Sequence, residues 1–414
     1  MDPSTTEIPK SVKPIVTEIF FVGTGISVIQ KDSFKYMPNL KKIFFIGSKI
    51  KSIEVGAFDN LPHLIELEIS GHEELENLTT GIFNNLKNLK KLDLKHNKIQ
   101  HVEKGTFDNM ENLEELYLNY NQIPSFPQSV FDSLANIVIL HLARNKLSSL
   151  PKDIFSKLPK LKILRLYINE LSEIPESLLN NNPALTEFSV SHNKIKSWPK
   201  GLLSNTLNLE KLSLDENIIE ELPDIPFIGL KKLKQLKMNG NKLHSLPDQL
   251  TDHMLIVSEL DLKNNQITKI PPGVFKNFGS LKKLILSSNK IDYLNKDVFS
   301  GLDKVTDLNL EFNNISSLPD DTFLFLPKIK KLKLSNNTFT HVPANLLNSF
   351  SMLSDVYLKE NPWVCDCHLK TLYNWMKNNA KKVKEVDKLL CANPINLIGK
   401  RISSLGEDEL VCYT

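Results

Sequence analysis

Four cysteines crowd the end of this 414-residue chain, at Cys365, Cys367, Cys391 and Cys412, and none precedes them. Thiols so placed can do two kinds of chemistry. As thiolates, Cys365 and Cys367 could hold a metal ion together with the adjacent His368. As oxidised pairs, the four could close two loops. A C-x-C-H run lacks the spacer usual in zinc sites, so the metal reading is the weaker one. Clustered cysteines can instead staple a segment too small to hold itself by a hydrophobic core, and they imply an oxidising compartment. Four cysteines allow three pairings, of which Cys365–Cys391 with Cys367–Cys412 is the expected one.

Catalytic machinery is not visible elsewhere. The ten histidines are scattered, and none forms an H-E-x-x-H metal pair. There is no G-x-S-x-G nucleophile turn. A Gly-rich phosphate loop is also missing from a chain with only 15 glycines. His96, His141 and His192 stand at repeat positions and read as surface strand residues. The expectation is a non-enzyme, with no catalytic residue, no metal and no cofactor.

The elements that must carry these residues are set by asparagine. Twelve asparagines, from Asn97 through Asn121 and Asn145 to Asn361, stand 24 residues apart. Each closes the phrase L-x-x-L-x-L-x-x-N-x-L, as in Leu89, Leu92, Leu94, Asn97 and Ile99. The L-x-L core alternates as a strand with one buried face does. Successive copies must cross back and lie parallel. One copy cannot bury its own leucines, but a stack can, so the period means a solenoid. Three earlier copies begin at Val16, Leu40 and Leu64, with Thr24, Ser48 and His72 in the Asn place. The step from His72 to Asn97 is 25, which marks one inserted residue. Fifteen repeats result, and a single curved solenoid with one parallel sheet on its concave face is expected.

The outer half of each repeat is regular too. A large apolar residue recurs ten places after the Asn: Phe107, Phe131, Phe155, Phe227, Phe275, Phe299 and Phe323, with Leu179, Leu203 and Leu347 as variants. Phe34, Phe58 and Phe83 continue it upstream. Thr251 breaks the series, and Leu250 is expected to turn in instead. Prolines such as Pro151, Pro175 and Pro343 predict an extended polyproline stretch on this side. Trp198 stands at a core-leucine position and reads as packing. Near the cysteines, Leu369, Leu372, Tyr373 and Met376 have helical spacing. A helix near residues 366–378 should plug the end of the core, with Lys377, Lys381, Lys382, Lys384 and Lys388 on a solvated face. The expected organisation is a partial N-terminal cap at 1–15, repeats over 16–360 and a cysteine cap at 361–414.

Composition narrows the partners. With 41% apolar and 24% charged residues and a net charge of +3, the chain reads as a globular protein with no bias toward nucleic acid. No apolar run is long enough to span a membrane. The opening MDPSTTEIPK lacks the apolar core of a signal peptide, so a mature form or a missing 5′ end is expected. Three sequons, at Asn77, Asn314 and Asn336, fit a secreted glycoprotein.

The segment Asn361-Pro-Trp-Val-Cys-Asp-Cys-His-Leu, with the repeat phrase, resembles extracellular leucine-rich repeat proteins that end in a cysteine cap. Within that class, Ile19-Phe-Phe-Val-Gly-Thr, Leu64-Ile-Glu-Leu-Glu-Ile-Ser-Gly and Cys365-Asp-Cys-His-Leu-Lys-Thr-Leu-Tyr-Asn-Trp look most like the non-catalytic, regulatory subunit of carboxypeptidase N. Leucine-rich α2-glycoprotein and the β-type phospholipase A2 inhibitors are similar. The resemblance implies a secreted plasma protein that carries and stabilises a secreted carboxypeptidase or other enzyme. The alternatives are a circulating inhibitor of an enzyme or toxin, or an immune or matrix recognition module. The chain departs from the pattern at its start, where Glu7-Ile-Pro-Lys-Ser-Val resembles half of a cap that usually bears cysteines.

The surface carries the remaining signal. The third, fifth, seventh and eighth positions of each repeat should face the concave side. Repeats 1 and 2 place Phe20, Val22, Phe44 and Ile46 there. Repeats 5 to 7 place Tyr117, Tyr120, Ile139, His141, Arg144, Ile163, Arg165 and Tyr167 there. Tyr and Arg dominate binding energy at interfaces, so Phe20, Phe44, Tyr117, Tyr120, His141, Arg165 and Tyr167 are the expected partner contacts.

Overall fold

A computed structural model describes residues 3–343 and 346–412, with the side chain of Phe323 outside the described residues. Residues 1, 2, 413 and 414 of the expected terminal segments also lie outside them. The chain divides into two compact units, Met1–Leu212 and Ser213–Thr414. The division falls within the short strand Lys211–Ser213 of repeat 9. Both units are parallel-sheet solenoids built from the 24-residue repeat.

In the first unit each repeat gives one strand of the main sheet, from Glu18–Val22 in repeat 1 to Glu187–Ser189 in repeat 8, and repeats 1 to 4 add two-residue strands that pair separately, such as Val28–Ile29 with Ser52–Ile53. Neighbours pair in parallel, so that Leu116, Leu140, Leu164 and Phe188 lie side by side. Leu67 pairs with Leu92, a step of 25, and absorbs the inserted residue without shifting the buried face. Every one of those core side chains is buried. On the loop side Phe34, Phe58, Phe83, Phe107, Phe131 and Phe155 stack in sequence, with ring centroids 6.0–6.4 Å apart. Trp198 is buried in its leucine position. Residues 3–18 contribute no fully buried side chain. Phe21 is nonetheless sealed, stacked on Phe45 at 4.5 Å.

The asparagines work as a ladder. The Ile99 amide donates to Asn121 Oδ1 at 3.1 Å, while Asn121 Nδ2 donates to the carbonyls of Leu94 and Leu118. The same set recurs for Asn145, Asn265 and Asn313. One planar amide thus satisfies backbone groups in two repeats where the strand turns away. A buried backbone group left without a partner costs about 1–3 kcal/mol, which explains why the residue type is fixed.

The second unit holds the strands from Gln235–Lys237 to Asp355–Tyr357. Leu250 is buried as expected. Thr251 is buried beside it, and its hydroxyl donates to the Phe227 carbonyl at 3.3 Å. The cap helix α1, Lys370–Asn378, buries Leu372, Tyr373, Trp375 and Met376. A short 3-10 turn, Cys367–Leu369, leads into it. Cys365 is bonded to Cys391 and Cys367 to Cys412, with Cα atoms 5.7 and 5.0 Å apart.

Two expectations need correction. The stretches after the prolines are not polyproline helix. The Pro175 carbonyl accepts from the Leu178 amide at 3.1 Å, and the Pro151 carbonyl from the Ile154 amide at 3.2 Å. Here the proline is the first residue of the turn, whose defining dihedrals are those of the next two residues, so its fixed φ does not carry the extended conformation forward, and burying the following Phe or Leu favours the turn. The lysine run after α1 is also not wholly solvated. Val383–Lys384 forms a strand beside Asp355–Tyr357, and Lys384 pairs with Asp355 at 3.0 Å.

Candidate protein-binding face

The strands of repeats 5 to 7 set the face. Leu116, Leu140, Leu164 and Leu166 point into the core, so their alternate neighbours Tyr117, His141, Arg165 and Tyr167 must point out. Tyr117, Arg165 and Tyr167 are half-buried on the open side of the sheet. The Tyr117 hydroxyl donates to Glu115 at 2.8 Å, and the Lys91 ammonium lies 5.4 Å from its ring centre. Burial, then the Glu115 carboxylate, raises the Tyr117 pKa, so the ring stays a neutral donor. Arg165 Nε donates to Glu187 Oε2 at 2.7 Å, which ties the guanidinium to the next strand.

His141 differs from the expectation of a surface residue and direct contact. It is only 7% exposed. It sits between Tyr117 and Tyr167, with ring centres 6.1 and 5.5 Å away. Its Nδ1 accepts the Ala143 amide at 3.4 Å, and Nε2 lies 3.3 Å from the Tyr167 hydroxyl. The larger rings of Tyr117 and Tyr167 flank it, so it meets the Tyr167 hydroxyl rather than open solvent.

A second row lies at the eighth positions. His96 stacks on Tyr120 with centroids 4.0 Å apart, and the Arg144 guanidinium lies 4.6 Å over the same ring. Together with Ile168 and His192, these residues are not in strands but at the turn that follows, with φ of +53° to +59°. Repeats 1 to 3 put Gly23, Gly47 and Gly71 there. A β-branched residue such as Ile168 at positive φ is a real outlier.

Phe20 and Phe44 stack at 4.5 Å but are not brought to this patch. A charged band separates them, in which Glu66 pairs with Lys42 at 3.6 Å and with Lys91 at 3.4 Å. Within that band burial and the Asp93 carboxylate raise the pKa of Glu68. Sequence reading missed Glu115 and Glu187, the partners that fix Tyr117 and Arg165. Their signal was an acidic third position in the same or the next repeat. Asn77 and Asn314 are exposed, and Asn336 is half-buried at the edge of the sheet face. The thiolate alternative for Cys365 and Cys367 has no free thiol to use.

The leucine rich repeat family matches seven segments, residues 16–73, 66–123, 112–171, 135–195, 207–254, 257–315 and 303–362. The chain belongs to the leucine-rich repeat family. Human carboxypeptidase N subunit 2 is 40% identical over 55 residues, 13% of this chain and 10% of that protein. The chain thus matches about a tenth of that relative's length. Among solved structures, the APL1 leucine-rich repeat domain superposes with a TM-score of 0.71 at 21% identity, covering 89% of this chain and 93% of that one. A Leptospira interrogans leucine-rich repeat protein gives 0.64 at 25% identity over 86% and 92%. No helix among the described residues of this leucine-rich repeat protein is long and apolar enough to cross a membrane.

Proposed function

We propose that this leucine-rich repeat protein is a secreted, non-catalytic binding subunit that carries and stabilises a partner enzyme. The partner would sit on the sheet face of repeats 5 to 7, anchored by Tyr117, Tyr120, Arg165 and Tyr167. The observation that carries this reading is the cluster itself. Two tyrosines and an arginine are held in fixed poses by Glu115, His141 and Glu187, and Tyr120 is clamped between His96 and Arg144. Rigid aromatic and Arg anchors lose little entropy on binding. Phe20 and Phe44 would extend the contact toward repeat 1. The two disulfides support secretion, and similarity to carboxypeptidase N subunit 2 supports an enzyme partner. Glycans at Asn77 and Asn314 would leave the face clear, while one at Asn336 would crowd only repeats remote in sequence from the anchors.

The test is to mix the purified chain with a secreted carboxypeptidase and follow enzyme inactivation on warming. A partner that binds only folded enzyme at about 100 times Kd stabilises it by roughly 2.7 kcal/mol, so inactivation should slow markedly. An unchanged inactivation rate at saturating chain would contradict the carrier reading. Binding with loss of enzyme activity would point to an inhibitor.

A further inference from the structure

We propose that His341, Asp366 and His368 form a binding site for one divalent transition-metal ion, zinc in class. His341 Nε2 lies 3.1 Å from Asp366 Oδ1, and His368 Nδ1 lies 3.5 Å from Asp366 Oδ2. The two imidazoles meet edge to face, 5.6 Å between centres. One ligand atom from each of the three residues lies within 4.8 Å of the others. Zinc bonds of about 2.0–2.1 Å place tetrahedral ligands roughly 3.4 Å apart, so small side-chain rotations close the set. Two imidazoles and one carboxylate suit zinc rather than calcium or magnesium, which prefer all-oxygen shells.

The surroundings favour a site over a chance encounter. Thr340 Oγ1 lies 3.2 Å from His341 Nδ1. That contact engages the other ring nitrogen and leaves Nε2 for the ion, as outer partners of metal-bound histidines do. Asp366 is flanked by Cys365 and Cys367, both tied in disulfides, and its Oδ1 also accepts the His368 amide at 2.9 Å. The carboxylate is therefore fixed before any ion arrives. His341 lies 25 residues before Asp366, one repeat plus one, so the stacking of the repeat brings them together. An ion there would tie the loop side of repeat 14 to the cap. His368 is largely exposed, which leaves a side open for water as a fourth ligand. The nearby cluster of His368 with Cys367 and Cys412 cannot serve in the same way, since both sulfurs are in a disulfide.

The competing account is a hydrogen-bonded clasp that needs no ion. Calorimetric titration of the tag-free, full-length chain with Zn²⁺ separates the two, with Co²⁺ as a spectroscopic probe. The site predicts one ion per chain and a visible Co²⁺ absorption of a low-coordinate N/O site. It also predicts at least about tenfold weaker binding in His341→Ala and in His368→Ala. His253→Ala, at an unrelated exposed His–Asp pair, should bind as wild type. Because His368 is exposed, His368→Ala should fold normally, and its melting point in EDTA checks this. No saturable binding up to about millimolar Zn²⁺ would overturn the proposal. So would His341→Ala and His368→Ala titrating as wild type does.

Discussion

His72 Nδ1 accepts the amide of Ile50 at 3.3 Å, the bond that Asn121 accepts from Ile99 in the regular repeats. Its Nε2 lies 2.9 Å from the Phe45 carbonyl, matching Asn121 Nδ2 on Leu94. A neutral imidazole with its proton on Nε2 therefore reproduces the donor and acceptor of an asparagine amide. Burial lowers its pKa, consistent with that form. His72→Asn should leave stability within about 1 kcal/mol. His72→Ala should cost about 2–6 kcal/mol by orphaning two buried backbone groups at about 1–3 kcal/mol each. Urea unfolding midpoints of the two variants check this, and an equal loss in both would contradict it.

His141 predicts an acid-sensitive fold. Burial, then the charges of Arg165 and Lys95, lowers its pKa from 6.5 to about 4. Between those values the unfolded chain binds a proton that the folded chain refuses. Stability is therefore complete above pH 6.5 and falls as pH drops toward 4, by at most about 1.4 kcal/mol per unit. Urea unfolding across that range should show the slope. His141→Gln should flatten part of it and leave the share due to His72, whose pKa is lowered in the same sense.

Ile168 predicts a trade between stability and binding. Its φ of +53° costs an L residue roughly 1–2 kcal/mol that glycine does not incur. Ile168→Gly should raise the unfolding free energy by about 1 kcal/mol. If the strain serves the face, the same change should weaken partner binding. A loss of stability would show that the side chain packs better than its backbone suggests.

The two disulfides should differ in access. Cys365 and Cys391 are buried, whereas Cys412 is exposed. Mild reductant with alkylation should label Cys367 and Cys412 first. Removing the buried Cys365–Cys391 bridge by paired serine substitution should cost about 2–5 kcal/mol. Simultaneous labelling of all four would contradict the order.

The solenoid was legible because its signal is one-dimensional. The spacing of Leu116, Leu140 and Leu164 is also their pairing register. The asparagine ladder could be read for the same reason, since each residue serves its neighbour one repeat away. The face was legible only in outline. Which side chains point outward follows from alternation, but the burial of His141 depends on the bulk of Tyr117 and Tyr167 in the two adjacent repeats. The strand Val383–Lys384 lies outside the repeat phrase and is hidden in a lysine run. The His341, Asp366 and His368 grouping joins a loop to a cap, so no local spacing announces it. The turns after prolines such as Pro151 and Pro175 are not legible because proline's fixed φ leaves the dihedrals of the next two residues open.

The central claim is that the Tyr/Arg face of repeats 5 to 7 binds protein. Tyr117→Ala and Tyr167→Ala, made separately and checked for an unchanged melting transition, test it most directly against a partner recovered by pull-down. Truncating a true anchor costs about 2 kcal/mol or more, so each variant should bind roughly thirtyfold more weakly. Affinities within about twofold of wild type in both folded variants would show that the face is structural and that the partner binds elsewhere.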